Sequence, residues 1–172
     1  MPNLYVSEAY SFYRQFILDY SRDKKAIYKQ YGFSLQGSVG SKDWEVFAAI
    51  LMGDRASPGD GADLENYEVK SAINGTSFEY QYHRNRGLEK LRDESTVDHL
   101  FIARSRTYTD IEVWLVDRVL LLPIFERWLP ELEQNYLTEG RQRFRRSVTY
   151  GFVAENGKRL LEVKNGVLVE GQ

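Results

Sequence analysis

Apolar and aromatic residues recur at helical spacing over the first thirty residues. Residues 5–30 carry such side chains at Tyr5, Tyr10, Phe12, Tyr13, Phe16, Ile17, Tyr20 and Ile27. Recurrence every three or four residues is typical of helices with one apolar face. The pattern therefore predicts one or two helices here. A loop rich in Gly and Ser is expected over residues 31–40, followed by a helix over residues 44–52 that begins after Ser41.

Alternation replaces helical spacing in the middle of the chain. In residues 78–85, the apolar Phe78, Tyr80 and Tyr82 alternate with polar positions, which predicts a strand with one buried and one open face. Residues 97–103 and 111–116 are apolar runs of strand length, separated by a polar turn. We expect these segments to form a mixed sheet with the strand of Glu68 at its centre.

The last third of the chain contains a long apolar pattern interrupted by prolines. Residues 118–136 predict two helices broken at Pro123 and Pro130, because proline cannot donate the helical hydrogen bond. Asn156-Gly157 and Asn165-Gly166 are dipeptides that favour tight hairpin turns. They predict two hairpins: a first that joins extended residues 148–153 to residues 160–163, and a second that joins residues 160–163 to residues 167–169.

Composition narrows the class of protein. The chain has 172 residues, 42% of them hydrophobic, and it contains no cysteine and two histidines. This length favours a single domain over residues 1–172, and the cysteine count excludes disulfides and thiolate zinc sites. No leader or membrane-spanning run is evident, so we expect a soluble cytoplasmic protein without a membrane partner.

The formal net charge is −2, but the basic residues are clustered. They concentrate in residues 84–92, 104–106 and 141–146. Overall charge averages over separate patches, so an acidic chain can still present basic surfaces to nucleic acid.

Residues 60–71 combine acids, glycines and a lysine in a pattern that predicts a β-hairpin. An arm ending near Leu64, a turn, and a returning strand from Tyr67 would set Asp63 opposite Glu68, with Cβ atoms about 5 Å apart. Strand alternation then puts Glu68 and Lys70 on one face, with Tyr67 and Val69 on the other.

Two carboxylates so close repel each other unless a cation offsets their charge. Mg²⁺ suits hard oxygen ligands and keeps several waters, so Asp63, Glu68 and the carbonyl of Val69 are candidate ligands for one or two ions. Lys70 would orient or deprotonate a water, or offset charge in a phosphorane-like transition state. The implied reaction is hydrolysis of a phosphodiester. A second Glu-Val-Lys, at residues 162–164, lacks the acidic glycine turn and predicts an ordinary strand face.

The acidic stretch also resembles a known signature. Asp-x4-Glu-x-Lys after Ala62 is similar to the motif of the PD-(D/E)xK nuclease superfamily, and residues 42–85 resemble its type II restriction endonucleases in order and spacing. The resemblance implies an α/β (α+β) fold with a restriction-endonuclease-like core, a mixed β-sheet flanked by helices. The segment before Glu68 is shorter than in the family. Direct alignment of Gly59-Asp60 with the Gly-Asp of the family motif therefore favours Asp60 as the catalytic and metal-binding acid. Hairpin geometry favours Asp63 instead.

The resemblance extends to further site residues. Many of these nucleases keep an additional acid on the helix before the motif, which makes Glu45 a candidate ligand. Family members read bases from the strand that follows the motif, which corresponds to Gln81, Tyr82 and His83. The polar face of this strand can bind base edges in the major groove. The DNA-binding candidates are therefore Glu79, Gln81, Tyr82, His83, Arg84 and Asn85.

The function implied is a Mg²⁺-dependent, sequence-specific endonuclease of double-stranded DNA, a type II restriction enzyme. A homodimer is expected because palindromic sites match two-fold symmetry, and the resemblance places residues 1–40 in the dimer interface. Two alternatives stay open. One is a structure-selective nuclease, such as a junction resolvase or a repair nickase, and the other is a non-enzymatic DNA-binding module.

Overall fold

A computed structural model describes residues 3–59 and 61–171 of the chain. Asp60, one of the two candidate acids, lies outside the described residues. The helices are α1 (Val6–Phe12), α2 (Tyr20–Gln30), α3 (Ser41–Met52), α4 (Gly87–Glu94), α5 (Arg118–Leu137) and α6 (Tyr150–Asn156). The strands are β1 (Tyr67–Ile73), β2 (Phe78–His83), β3 (Asp98–Arg104), β4 (Ile111–Val116), β5 (Arg143–Val148), β6 (Lys158–Lys164) and β7 (Val167–Gly171).

Five of these strands form one mixed sheet, in the order β1-β3-β4-β6-β7. Strand β1 runs parallel to β3, and the other neighbours are antiparallel. Strands β2 and β5 pair separately in a two-stranded antiparallel sheet. The predicted α/β architecture, a mixed sheet flanked by helices, is confirmed.

The expectation that the Glu68 strand lies at the centre of the sheet is wrong, because β1 is an edge strand. In residues 61–66, the described part of the predicted arm, no first hairpin strand forms beside it. Instead Leu64 bridges to Ala56, and the Leu64 N–H donates to the carbonyl of Tyr67 at 2.9 Å. An irregular loop therefore covers the outer edge of β1.

Two hydrophobic cores lie on opposite faces of the sheet. The first packs α1 and α3 against the sheet and contains Val69, Leu100 and Ile102. The second packs β2, β5 and α5 against the other face and contains Phe101 and Ala103. Because side chains alternate along β1, Val69 faces the first core and its neighbours Glu68 and Lys70 face the second layer.

The N-terminal helical prediction is confirmed, with one addition. A π-helical segment, Tyr13–Asp19, joins α1 to α2, and it buries Tyr13, Ile17 and Leu18 in the first core. Helix α3 begins at Ser41, earlier than predicted, because the Gly40 N–H donates to the Asp43 carboxylate at 3.1 Å. That bond satisfies a free amide at the start of the helix.

The predicted break between two C-terminal helices does not occur. Helix α5 runs unbroken from Arg118 to Leu137 with Pro123 and Pro130 inside it. Each interior proline costs about 3 kcal/mol or more. The helix buries Leu121, Phe125, Trp128 and Leu132 in the second core, and this packing outweighs the loss.

The two Asn-Gly steps have different outcomes. Asn165 and Gly166 both have positive φ, and they connect β6 to antiparallel β7 as predicted. Asn156 and Gly157 instead end helix α6, so the predicted first hairpin is wrong. The Thr149 hydroxyl accepts from the Phe152 N–H at 3.2 Å, and this N-cap favours a helix over the predicted extended run.

Within residues 3–59 and 61–171, no helix combines the length and the apolar character that crossing a lipid bilayer requires.

Candidate active site

Asp63 and Glu68 come together at the outer edge of β1. The Asp63 N–H donates to Glu68 Oε2 at 3.0 Å, and the Asp63 carboxylate accepts from the Val69 N–H at 3.1 Å. These reciprocal bonds fix both carboxylates without a regular hairpin. The convergence expected from the sequence is therefore present, although a loop rather than a strand carries Asp63.

Lys70 lies on the same face of β1 as Glu68, as predicted. Its ammonium donates to Glu68 Oε1 and lies 4.6 Å from the centre of the Tyr80 ring. The side chain is only 14% exposed. Lys70 is therefore held at the bottom of the site by an anion on one side and an aromatic face on another.

Glu94 is part of this cluster, although sequence reasoning did not single it out. It is the last residue of α4 and fully buried, and its Oε1 lies 3.4 Å from Lys70 Nζ and 3.6 Å from Lys90 Nζ. Its Oε2 accepts from the Tyr82 hydroxyl at 2.6 Å. The sequence signal that could have found it is an acid at the end of a short helix, where acids are unfavourable.

The charges of the cluster divide unequally between the two glutamates. Burial raises the pKa of Glu68 well above its ordinary value, although Lys70 opposes this shift. Burial also acts to raise the pKa of Glu94, but Lys70, a hydrogen bond with Glu68, Lys90 and the Tyr82 hydroxyl outweigh it and hold that pKa below its ordinary value. Glu94 is therefore the carboxylate that stays ionised most readily.

Lys70 is an ammonium in this environment. Burial by itself acts to lower the pKa of Lys70, but the carboxylates of Glu94 and Glu68 outweigh it and hold the pKa above its ordinary value. This electrostatic balance favours a lysine that offsets negative charge over one that removes a proton from water.

His99 is the buried neutral base of the cluster and no ligand candidate. Its Nε2 lies 2.9 Å from the backbone carbonyl of Glu94, which can only accept, so Nε2 carries the proton. Its Nδ1 therefore accepts from the Tyr80 hydroxyl at 2.7 Å. His99 thus links the backbone of Glu94 to the ring that lies beside Lys70. Burial lowers its pKa to about 4.

The donor set fits Mg²⁺ through two carboxylates and a carbonyl. The Val69 N–H points to Asp63, and because the N–H and C=O of one strand residue point to the same side, the Val69 carbonyl faces that edge too. Each carboxylate oxygen keeps a lone pair beyond its present hydrogen bond. Among the described residues, which omit Asp60, no three acidic or histidine side chains form a metal-binding group. Mg²⁺ needs only one or two protein carboxylates when water and phosphate complete its shell.

Glu45 does not join Asp63 and Glu68 directly. Its carboxylate pairs with Lys42, one turn earlier on α3. Glu45 lines a mostly apolar groove of about 640 Å³ that also touches Asp63. It therefore lies beside the site, and its role as a ligand stays a prediction.

A cleft of about 460 Å³ connects the predicted DNA-contact strand, β2, with the acidic edge of β1, where Asp63 and Glu68 meet. It is lined by Lys42, Asp63, Lys90 and three of the polar candidates, Gln81, His83 and Asn85. Glu79 and Arg84 are exposed near the same strand, but they are not part of the cleft wall. Among the described residues, the cleft thus brings Asp63 together with three of the base-reading candidates, while Glu68 contacts Asp63 from outside the cleft wall.

Tyr82 is the exception among the DNA-contact candidates. Its side chain is fully buried, and its hydroxyl donates to Glu94. Strand alternation explains this, because Tyr82 shares the buried face of β2 with Phe78 and Tyr80. We therefore assign Tyr82 to the support of the site rather than to base reading.

Two arginines extend the polar face of β2. In the β2–β5 sheet, Gln81 pairs with Arg145 and His83 pairs with Arg143, and both arginines are exposed. Arg145 also lies 3.9 Å from Glu79. The sequence marked this basic run, but only the pairing of β5 with β2 places it beside the candidate readers.

Neither a scan against protein-family models nor a search of the curated proteins finds a match to this chain. The resemblance to PD-(D/E)xK nucleases therefore remains a prediction that rests on the motif.

Burial of His99 predicts a specific loss of stability in acid. Its pKa is about 4 in the folded protein against an ordinary value of 6.5, so between these values only the unfolded chain takes up the proton. Stability therefore falls as pH falls, and His99 alone should remove about 2 kcal/mol between pH 7 and pH 5. Urea unfolding of the wild type and of His99→Gln at both pH values measures this. Equal pH dependence in the two proteins would contradict the assignment.

Proposed function

We propose that this protein is a Mg²⁺-dependent endonuclease that hydrolyses phosphodiester bonds in double-stranded DNA at specific sequences. One observation carries the proposal: one cleft is lined by Asp63, with Glu68 and Lys70 behind it, and by Gln81 and His83 of β2. Acids suited to a divalent cation, a fixed ammonium and groups that can bind base edges would then act on one stretch of duplex.

The residues have distinct proposed roles. Asp63 and Glu68, with the Val69 carbonyl, hold Mg²⁺; Asp60 stays an alternative to Asp63. When bound, the ion supplies positive charge to the phosphate and lowers the pKa of its water. Lys70 remains protonated and offsets the charge that develops on the phosphoryl oxygens. The raised pKa of Lys70 supports this role over proton abstraction.

The β2–β5 ribbon is the proposed base-reading element. A two-stranded ribbon fits the major groove of B-DNA. Gln81 and Asn85 suit adenine, and Arg143 and Arg145 suit guanine, because these side chains match the donors and acceptors of those bases. The exposure of His83, Arg143 and Arg145 on one face supports this surface.

Removing the candidate catalytic residues should abolish cleavage. Glu68→Ala and Lys70→Ala should each lower Mg²⁺-dependent plasmid cleavage by roughly 10²–10³-fold or more, because each removes a group that stabilises the transition state. Lys164→Ala, in the second Glu-Val-Lys, is the matched control and should cleave like the wild type, since Lys164 is 60% exposed on β6. In gel-shift assays without metal, Glu68→Ala should bind DNA as well as the wild type or better, because it removes repulsion of phosphate.

Two results would count against this assignment. The first is undiminished cleavage by Lys70→Ala, and the second is weaker metal-free DNA binding by Glu68→Ala. A wild-type protein without Mg²⁺-dependent cleavage would favour the non-enzymatic DNA-binding alternative.

Substitutions in the ribbon should relax sequence preference without removing the chemistry. Gln81→Ala and Arg145→Ala should each reduce discrimination at one base pair by about 1–3 kcal/mol. Gln134→Ala, exposed on α5, serves as the control. Sequencing the ends of fragments from a random DNA library measures the preference of each protein. If cleavage depends on the shape of the DNA, and neither substitution changes the sequence preference, a junction resolvase or a repair nickase would be favoured.

A homodimer is the second part of the proposal. Phe16, Tyr20, Ile27 and Tyr31 are between 49% and 71% exposed. Their spacing keeps them near one side of the N-terminal helices, as an exposed apolar stripe. Such stripes in soluble proteins mark interaction sites, and a second copy of this chain would align two clefts on a palindromic duplex. This support agrees with the interface that the sequence resemblance implied for residues 1–40.

Charge placed in the stripe should separate the subunits. Phe16→Asp combined with Tyr20→Asp should weaken self-association roughly thirtyfold or more, the cost of losing buried aromatic anchors. Val119→Asp is a matched control, because Val119 is 62% exposed but lies on α5. Sedimentation equilibrium distinguishes the 20.1 kDa chain from its dimer. A wild type that sediments only as the single chain would refute the dimer.

A further inference from the structure

Glu94 occupies a position that local helix energetics disfavour. It ends α4, where the carbonyl end of the helix carries partial negative charge. Its pairing with Lys90 has lysine before glutamate at i, i+4, which is the weaker order. Local interactions within the helix therefore do not explain a glutamate at this position. The explanation must lie in the partners of Glu94 elsewhere in the fold.

Those partners occupy both carboxylate oxygens. Oε1 faces the ammoniums of Lys70 and Lys90, and Oε2 accepts from the Tyr82 hydroxyl. A buried carboxylate is costly unless paired in this way. The backbone carbonyl of Glu94 accepts from His99, so the main chain of the residue is anchored as well. Glu94 is therefore a fixed anion buried behind the residues that line the cleft.

Lys70 needs such a fixed anion. A lysine side chain has a flexible four-carbon stem, so one contact does not define where its ammonium lies. Glu68 contacts Lys70, but Glu68 is also a proposed cation ligand. Among the carboxylates of the described residues that pair with Lys70, Glu94 is the one without another proposed duty.

We propose that Glu94 is a positioning residue of the site. Its Oε1 holds the Lys70 ammonium beside Glu68 and Asp63, while the Tyr82 hydroxyl fixes the Oε2 of Glu94. This proposal rests on the proposed nuclease function for its role in the reaction. The contact between Glu94 and Lys70 can be tested without that function.

Nuclear magnetic resonance of lysine ammonium groups tests the contact directly. Protein labelled with ¹⁵N-lysine should give a cross-peak for Lys70, because a buried, ion-paired ammonium exchanges its protons slowly. The Lys70→Met variant assigns this peak by its loss. Glu94→Gln keeps the size and an acceptor for Tyr82 but removes the charge, so the peak should shift or disappear. Glu89→Gln, an exposed glutamate on the same helix, should leave it unchanged.

Cleavage kinetics test the role in the reaction. Glu94→Gln should lower the single-turnover rate of Mg²⁺-dependent DNA cleavage by about 10- to 100-fold, while DNA affinity measured in Ca²⁺ changes less than about threefold. A variant that had only lost packing would lose affinity and thermal stability together with rate. Glu89→Gln should match the wild type in both measurements.

Tyr82→Phe covers the case in which Glu94→Gln does not fold. It keeps the buried ring and removes only the hydroxyl that donates to Glu94. A shifted Lys70 peak and a rate reduced about threefold to tenfold would support the proposal.

The outcomes are distinguishable. A Lys70 peak that is identical in the wild type and in Glu94→Gln, or in Tyr82→Phe where only that variant folds, overturns the positioning role. If the folded variant cleaves DNA at the same rate as the wild type, the positioning role is overturned as well. A wild type that does not cleave DNA overturns the proposed function. In that case the NMR spectra alone decide whether Glu94 positions Lys70.

Discussion

The buried ion cluster of Lys70, Glu68 and Glu94 is the interaction on which the rest of the site depends. An unpaired charge in a protein interior costs several kcal/mol, so each member is tolerated only because the others compensate it. Four separate elements, β1, β2, α4 and β3, contribute side chains or backbone groups to this compensation. The cluster therefore ties the edge of the five-stranded sheet to the layer of β2 and α4.

The edge position of β1 explains how a buried cluster can serve an open cleft. A central strand would have both sides filled by neighbouring strands, whereas β1 has β3 on one side and the acidic loop on the other. Asp63 can then bond the Val69 N–H and still line the cleft. Lys70 and Glu94 stay behind it, away from water, where electrostatic interactions are stronger.

The distribution of charge reconciles a net-acidic chain with the proposed DNA substrate. Acids gather at the edge of β1, where a cation is proposed, whereas Arg143 and Arg145 lie on the open face of the β2–β5 ribbon. A surface that binds phosphate depends on such local patches rather than on the total of −2. Gln81 and His83, which pair with these arginines, line the same cleft as Asp63, so both charge patterns would act on the proposed duplex.

The sequence by itself determined what short-range periodicity can specify: the N-terminal helices, the alternating faces of β1 and β2, the β6–β7 turn, and the approach of Asp63 and Glu68. Each follows from backbone geometry within a few residues. Only the tertiary structure decided that β1 is an edge strand, that α5 continues through Pro123 and Pro130, and that Tyr82 and Glu94 belong to the site. These features arise from contacts between distant segments, whose packing and ion pairing outweigh local preference, and a single sequence carries no direct record of which segments meet.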